Sequence, residues 1–246
     1  MAVMGVRLAA VLVLATGCIS FSSVQKADTL GPGKVQAAVE PGLWGGASPQ
    51  GVEALPHVDA TVRVGVTDRL DLGVRAGSSA LELGAKVLLT EPGDPRLAVS
   101  LAPGLGGVFL DGRGVTPGSP GIGPAGVVSL DAPLLVGLKL AGGSELVLGP
   151  RVLTLLFFSD GPLAAALGVG GSVGFSWQVT EGFALLPEVA ALAPVVGRTV
   201  AGRILQGLNA SGVFVSFKLG LVFGVPRGTE EATAPPPPAP RAVPPL

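Results

Sequence analysis

Two short patterns in this chain carry residue types known from catalysis, and neither has the context that the chemistry needs. Gly170-Gly171-Ser172-Val173-Gly174 has the spacing of a serine nucleophile on a strained strand-to-helix turn. Such a serine needs a histidine base later in the chain, and the one histidine, His57, comes earlier. Alternation puts Ser172 in mid-strand, and a sequential meander keeps the strands bearing Ser172 and His57 apart. Gly121-Ile122-Gly123-Pro124-Ala125-Gly126 spells a dinucleotide loop, but that loop must open a helix whose N–H groups meet a pyrophosphate. Here a strand follows. One cysteine and one histidine supply no metal-ligand set. The sequence therefore reads as non-enzymatic, with no catalytic residues, no metal and no cofactor.

The charged residues carry more information. Asp59, Arg63, Asp71, Arg75, Glu82, Lys86, Asp131, Lys139, Glu145, Arg151, Glu188 and Lys218 fall on strand faces shared with glycine, opposite clean apolar faces. An ion turned toward hydrocarbon costs about 2–4 kcal/mol at mid-depth, so a barrel in lipid would have to enclose all of them. Their signs balance, six acids against six bases. That balance predicts cross-strand ion pairs bracing a lumen, whereas a selective pore would show one sign prevailing along its lining. A narrow small-solute passage stays open as an alternative.

The elements that would position these charges are strands. The 246 residues are apolar on average (mean hydropathy +0.63), with 13% charged residues. After residue 20 no run approaches the roughly 20 apolar residues of a spanning helix. Alternation instead predicts about ten strands (eight to twelve), near 34–45, 57–66, 70–77, 81–90, 96–105, 125–140, 145–157, 163–179, 183–194 and 211–224. The last is the clearest: Val213, Val215, Phe217, Leu219, Leu221, Phe223 and Val225 oppose Phe214, Ser216, Lys218, Gly220, Val222 and Gly224. Links after even-numbered strands are short, and those after odd-numbered strands (46–56, 106–124 and 195–210) are longer. An up-and-down barrel gathers the two kinds at opposite ends. Net charge of −1 offers no basic field for nucleic acid.

The run Val62 to Arg75 (VRVGVTDRLDLGVR) resembles the periplasmic hairpins of Gram-negative outer-membrane β-barrel proteins. Phe217 to Phe223 (FKLGLVF) is similar to the closing strand that their assembly machinery reads. This resemblance covers 34–225 and implies an all-β antiparallel transmembrane barrel, porin-like in architecture. Outer-membrane lipid and the barrel-assembly machinery would be its partners. The chain departs from that pattern in lacking tyrosine and in continuing beyond the closing strand. A soluble periplasmic β-barrel lipoprotein holding an apolar ligand is the alternative, with the apolar faces turned inward.

The two ends complete the organisation. Residues 1–17 read as a lipoprotein signal peptide: a short basic start, an apolar stretch from Leu8 to Leu14, and Ala15-Thr16-Gly17 before Cys18. Cys18 is then the lipidation site, and the mature protein a lipid-anchored outer-membrane protein. Residues 18–33 read as an N-terminal linker. Residues 226–246, with Pro235 to Pro238, Pro240, Pro244 and Pro245, read as a proline-rich disordered tail that could meet the cell wall or a periplasmic partner.

Overall fold

The computed structural model describes residues 24–48, 51–77, 80–110, 125–158, 164–198 and 213–225. Twelve strands follow in chain order: β1 (Val35–Ser48), β2 (Gly51–Thr67), β3 (Leu70–Gly77), β4 (Leu81–Leu88), β5 (Leu97–Leu101), β6 (Gly104–Leu110), β7 (Ala125–Lys139), β8 (Glu145–Leu148), β9 (Arg151–Phe158), β10 (Ala164–Thr180), β11 (Gly182–Arg198) and β12 (Phe214–Val225). All pairings are antiparallel, and they form a ring, because β12 pairs both β11 and β1. Closure leaves no free sheet edge.

β5 and β6 are two halves of one stave between β4 and β7, and β8 and β9 are two halves of another between β7 and β10. The barrel thus has ten staves, at the positions that alternation predicts. Each split falls at a proline, Pro103 or Pro150, which cannot donate to the ladder. Their carbonyls stay in use: Pro103 accepts from the Ala85 N–H at 3.0 Å and Pro150 from the Leu134 N–H at 2.8 Å. The splits therefore bend the wall without opening it.

The pleat sorts the side chains. Val62, Leu72, Leu83, Val173, Trp177, Val189, Phe217 and Phe223 are all exposed on the outer surface. The residues between them turn into the lumen, where Glu40, Asp59, Asp71, Lys86, Glu145, Glu188 and Lys218 are buried. This overturns the soluble-carrier alternative, which needs the greasy face inside. Val173 is 54% exposed while Lys218 is fully enclosed.

The short turns lie at one end, together with the start of β1 and the end of β12, since Ala37 pairs Phe223. There the Arg96 and Leu97 N–H groups donate to Asp94 Oδ1 at 2.8 and 3.1 Å, holding that carboxyl below its ordinary pKa. Two expectations change at the other end. The described residues of 46–56 are strand, not loop: β1 and β2 stay paired, with Gly46 opposite Glu53 and Ser48 opposite Gly51. Pro56 is tolerated because the β2–β3 ladder, among the described residues, reaches only to Asp59 opposite Gly77. His57, near the loop-side end of the longer β2, turns inward and is buried. Loops 106–124 and 195–210 lie largely outside the described residues; within them, β6 runs to Leu110 and β11 to Arg198.

Candidate functional site: the lumen

The lumen is filled in three tiers. At the long-loop end, Trp44 and Phe214 stack with ring centres 5.6 Å apart and pack against Leu153, Ala190 and Leu192. In the middle lies a belt of ions. Lys218 Nζ stands 3.1 Å from Glu40 Oε2 and 2.7 Å from Asp59 Oδ2, and none of the three side chains is exposed. Glu40 and Asp59 are register partners on β1 and β2, so one lysine from β12 bridges two neighbouring acids. The Thr61 hydroxyl donates to Glu40. Arg151 pairs with Asp131 at 3.0 Å, and Arg75 pairs with Glu82, its register partner across β3 and β4. Arg63 is half-buried beside them. The cavity that it lines with Arg75, Glu82 and Asp131 has about 20 Å³, room for about one water.

The third tier, at the short-turn end, was not legible as structure in the sequence. Residues 18–33 read as a linker, yet residues 24–30 run through the lumen as an irregular segment with bends at Ala27 and Asp28. Val24, Gln25, Ala27 and Leu30 are buried there. Glu188, Glu145 and Asp71 accept hydrogen bonds from its backbone, and Lys86 pairs with Asp71 at 3.1 Å while also donating to the Lys26 carbonyl of the segment. Lys139 pairs with Asp28 of the segment, although Glu145 is its register partner. Lys26 Nζ reaches the Gly143 carbonyl at 2.9 Å, and burial pushes its ammonium pKa down. Below the segment an open vestibule of about 430 Å³ is lined by Lys26, Asp28, Lys34 and Lys139.

All twelve charged residues singled out in the sequence face this interior, nine buried and Arg63, Glu82 and Lys139 half-buried. They form separate pairs and clusters, not one continuous lining. Glu40 is the main residue that the sequence-derived set lacks. Its signal was present, since Gln36, Ala38 and Glu40 alternate with Val35, Ala37 and Val39, but Pro41 and the glycines after it obscure the period. Ser172 is buried in mid-strand on β10, paired with Ala190 of β11, and His57 stands on β2. The structure does not bring the two together. Most of the Gly121–Gly126 pattern, Cys18, the signal segment and the tail lie outside the described residues. Among the described residues no group of three or more His, Cys, Asp or Glu could hold a metal ion.

Removing one member of the central triad strands the others. Lys218→Met leaves two enclosed carboxylates side by side and is expected to cost about 3–5 kcal/mol, read from urea unfolding in detergent micelles. Adding Glu40→Gln and Asp59→Asn should restore most of that loss. A single-variant cost below about 1 kcal/mol would contradict the ionic description.

No family model and no curated protein matches this sequence. Among solved structures, the translocator domain of the autotransporter NalP from Neisseria meningitidis is similar over 90% of this chain and 95% of its own, at 12% identity and a TM-score of 0.44. The outer-membrane protease OmpT from Escherichia coli is similar over 78% of this chain and 97% of its own, at 10% identity and a TM-score of 0.41. The attachment invasion locus protein Ail of Yersinia pestis is similar over 78% of this chain and 99% of its own, at 7% identity and a TM-score of 0.30. No role is transferred across such distances; the fold stands on this chain's own pairings, which make a closed, ten-stave, antiparallel transmembrane-type β-barrel.

Proposed function

We propose that this protein is a closed outer-membrane β-barrel, lipid-anchored through Cys18, with a structural or surface role in place of solute permeation or catalysis. The observation that carries the reading is the filled lumen. Between the aromatic stack and the inserted segment, the mid-lumen cavity of about 20 Å³ is far too small for a solute path. The membrane placement rests on the outer wall, where large apolar side chains stand exposed on every stave. An apolar surface of that extent needs a covering, and hydrocarbon supplies it with the ions enclosed.

The anchor fits this geometry. Five residues separate Cys18 from Val24, six steps with a reach of about 20 Å when extended, and β1 starts at the short-turn end. In outer-membrane barrels the short turns face the periplasm. An acyl chain in the inner leaflet would then lie beside the mouth that the segment enters, and the proline-rich tail after Val225 would leave on the same side, toward the cell wall. Partners follow from that arrangement: outer-membrane lipid, the barrel-assembly machinery and, through the tail, a periplasmic partner. The outer face would belong to the loops after β6 and β11.

Two measurements test the reading. Purified full-length protein in planar bilayers should give no conductance steps; reproducible single-channel steps would establish permeation instead. Val189 is exposed near the middle of β11, and Val189→Arg should cost about 2–4 kcal/mol for protein folded into phospholipid vesicles. A change within about 0.5 kcal/mol, the ordinary result at a watery surface, would remove the membrane assignment.

A further inference from the structure

Residues 24–30 are recognised by the wall through their backbone. The N–H groups of Val24, Ala27 and Leu30, every third residue, donate to Glu188 Oε2 at 2.9 Å, Glu145 Oε1 at 2.8 Å and Asp71 Oδ1 at 3.0 Å. Lys86 Nζ donates to the carbonyls of Lys26, at 3.2 Å, and Asp28. The Ser100 hydroxyl donates to the carbonyl of Ala27. Six main-chain groups are thus met by side chains from β3, β4, β5, β8 and β11, and the segment joins no strand ladder. The segment bends at Ala27 and Asp28 and brings an N–H group to the wall at each of Val24, Ala27 and Leu30.

Two of these residues, Val24 and Ala27, also fill fitted pockets. Val24 packs among Ala38, Ala184, Leu186 and Val222, and Ala27 among Leu88, Ala98, Ala102, Leu135 and Val147. Glycine clears the path at both contacts. A Cβ at Gly220 would collide with Val24, and one at Gly137 would lie 2.8 Å from the Ala27 Cβ. With the segment in place Asp71, Glu145 and Glu188 are each at least 97% buried, and the peptide N–H groups add to the partners that these carboxylates meet there, Lys86 among them for Asp71. None of these contacts depends on the covalent link to β1, which runs through the surface turn Gly31-Pro32-Gly33-Lys34.

We propose that the short-turn half of the lumen is a binding site for a short peptide, held through its main chain, with small or apolar residues at every third position, and that residues 24–30 are its resident, exchangeable occupant. This goes beyond the closed-barrel reading, and its test reads peptide exchange, not conductance or lipid insertion. The full chain with Cys18→Ser, free of acyl groups, is refolded in detergent micelles with a protease recognition sequence inserted between Pro32 and Gly33. After cleavage the N-terminal fragment should co-elute with the barrel, and excess synthetic VQKADTL should displace it. The same peptide with glutamate at the Ala27 position should be at least tenfold less effective. Immediate loss of the fragment from a barrel that keeps its heat-modifiable gel mobility would overturn the proposal, as would equal displacement by both peptides. The uncut chain carrying Ala27→Glu gives an independent reading. With its own segment expelled, it should bind fluorescent VQKADTL at least tenfold more tightly than the chain with Ala27 intact. Equal binding, or none, would overturn the proposal.

Discussion

The ion triad of Lys218, Glu40 and Asp59 straddles the seam where the last strand meets the first. Lys218 belongs to β12, Glu40 to β1 and Asp59 to β2. Two acids on adjacent staves repel until the lysine arrives from the far end of the chain, so the triad is satisfied only in the closed ring. Closure in turn gives the sheet an inside and an outside. Everything else follows from that division: ions and serines inward, valines, leucines and phenylalanines outward, and a lumen whose polar groups must find partners among themselves.

Much of this was legible because a strand has only two faces. The period of two in β2, β3, β4, β7 and β12 fixes which residues share a wall, and the glycine-bearing face names the lumen. The turns at Asp68, at Gly93 and at Glu181 are short enough to read as tight hairpins. Legibility failed where a local breaker sat in a position that costs nothing. Gly46 and Pro56 look like the two ends of a loop, but they occupy a tip where, among the described residues, β2 pairs with β1 alone, and the strand continues. Glu40 went unread although it lies within the strand placed at 34–45, because Pro41 and the glycines after it break the alternation. Partner choice is also invisible to alternation. Lys139 and Glu145 are register partners by sequence logic, yet each turns to the inserted segment, Lys139 to Asp28 and Glu145 to the Ala27 N–H.

The segment itself could not be read from its own residues. Val24 to Leu30 has no strand or helix periodicity and looks like any polar connector. Its conformation comes from the wall: three carboxylates at the right heights, one lysine between them, and glycines hollowing the route. Such a feature becomes visible only when distant positions, Asp71, Glu145 and Glu188, are seen to converge on one stretch of backbone. Those acids are conspicuous in the sequence only as inward charges, because what they hold is main chain, which carries no sequence signal.

The position of the segment also orders the assembly of the molecule. Residues 24–30 are made before any strand, yet their contacts come from β3, β4, β5, β8 and β11, the last of these among the latest parts of the barrel to be synthesised. A nascent chain therefore carries its stopper ahead of the vessel. The stopper can be fully seated only once the eleventh strand has brought Glu188 into place, which makes the beginning of the chain one of the last regions to lock.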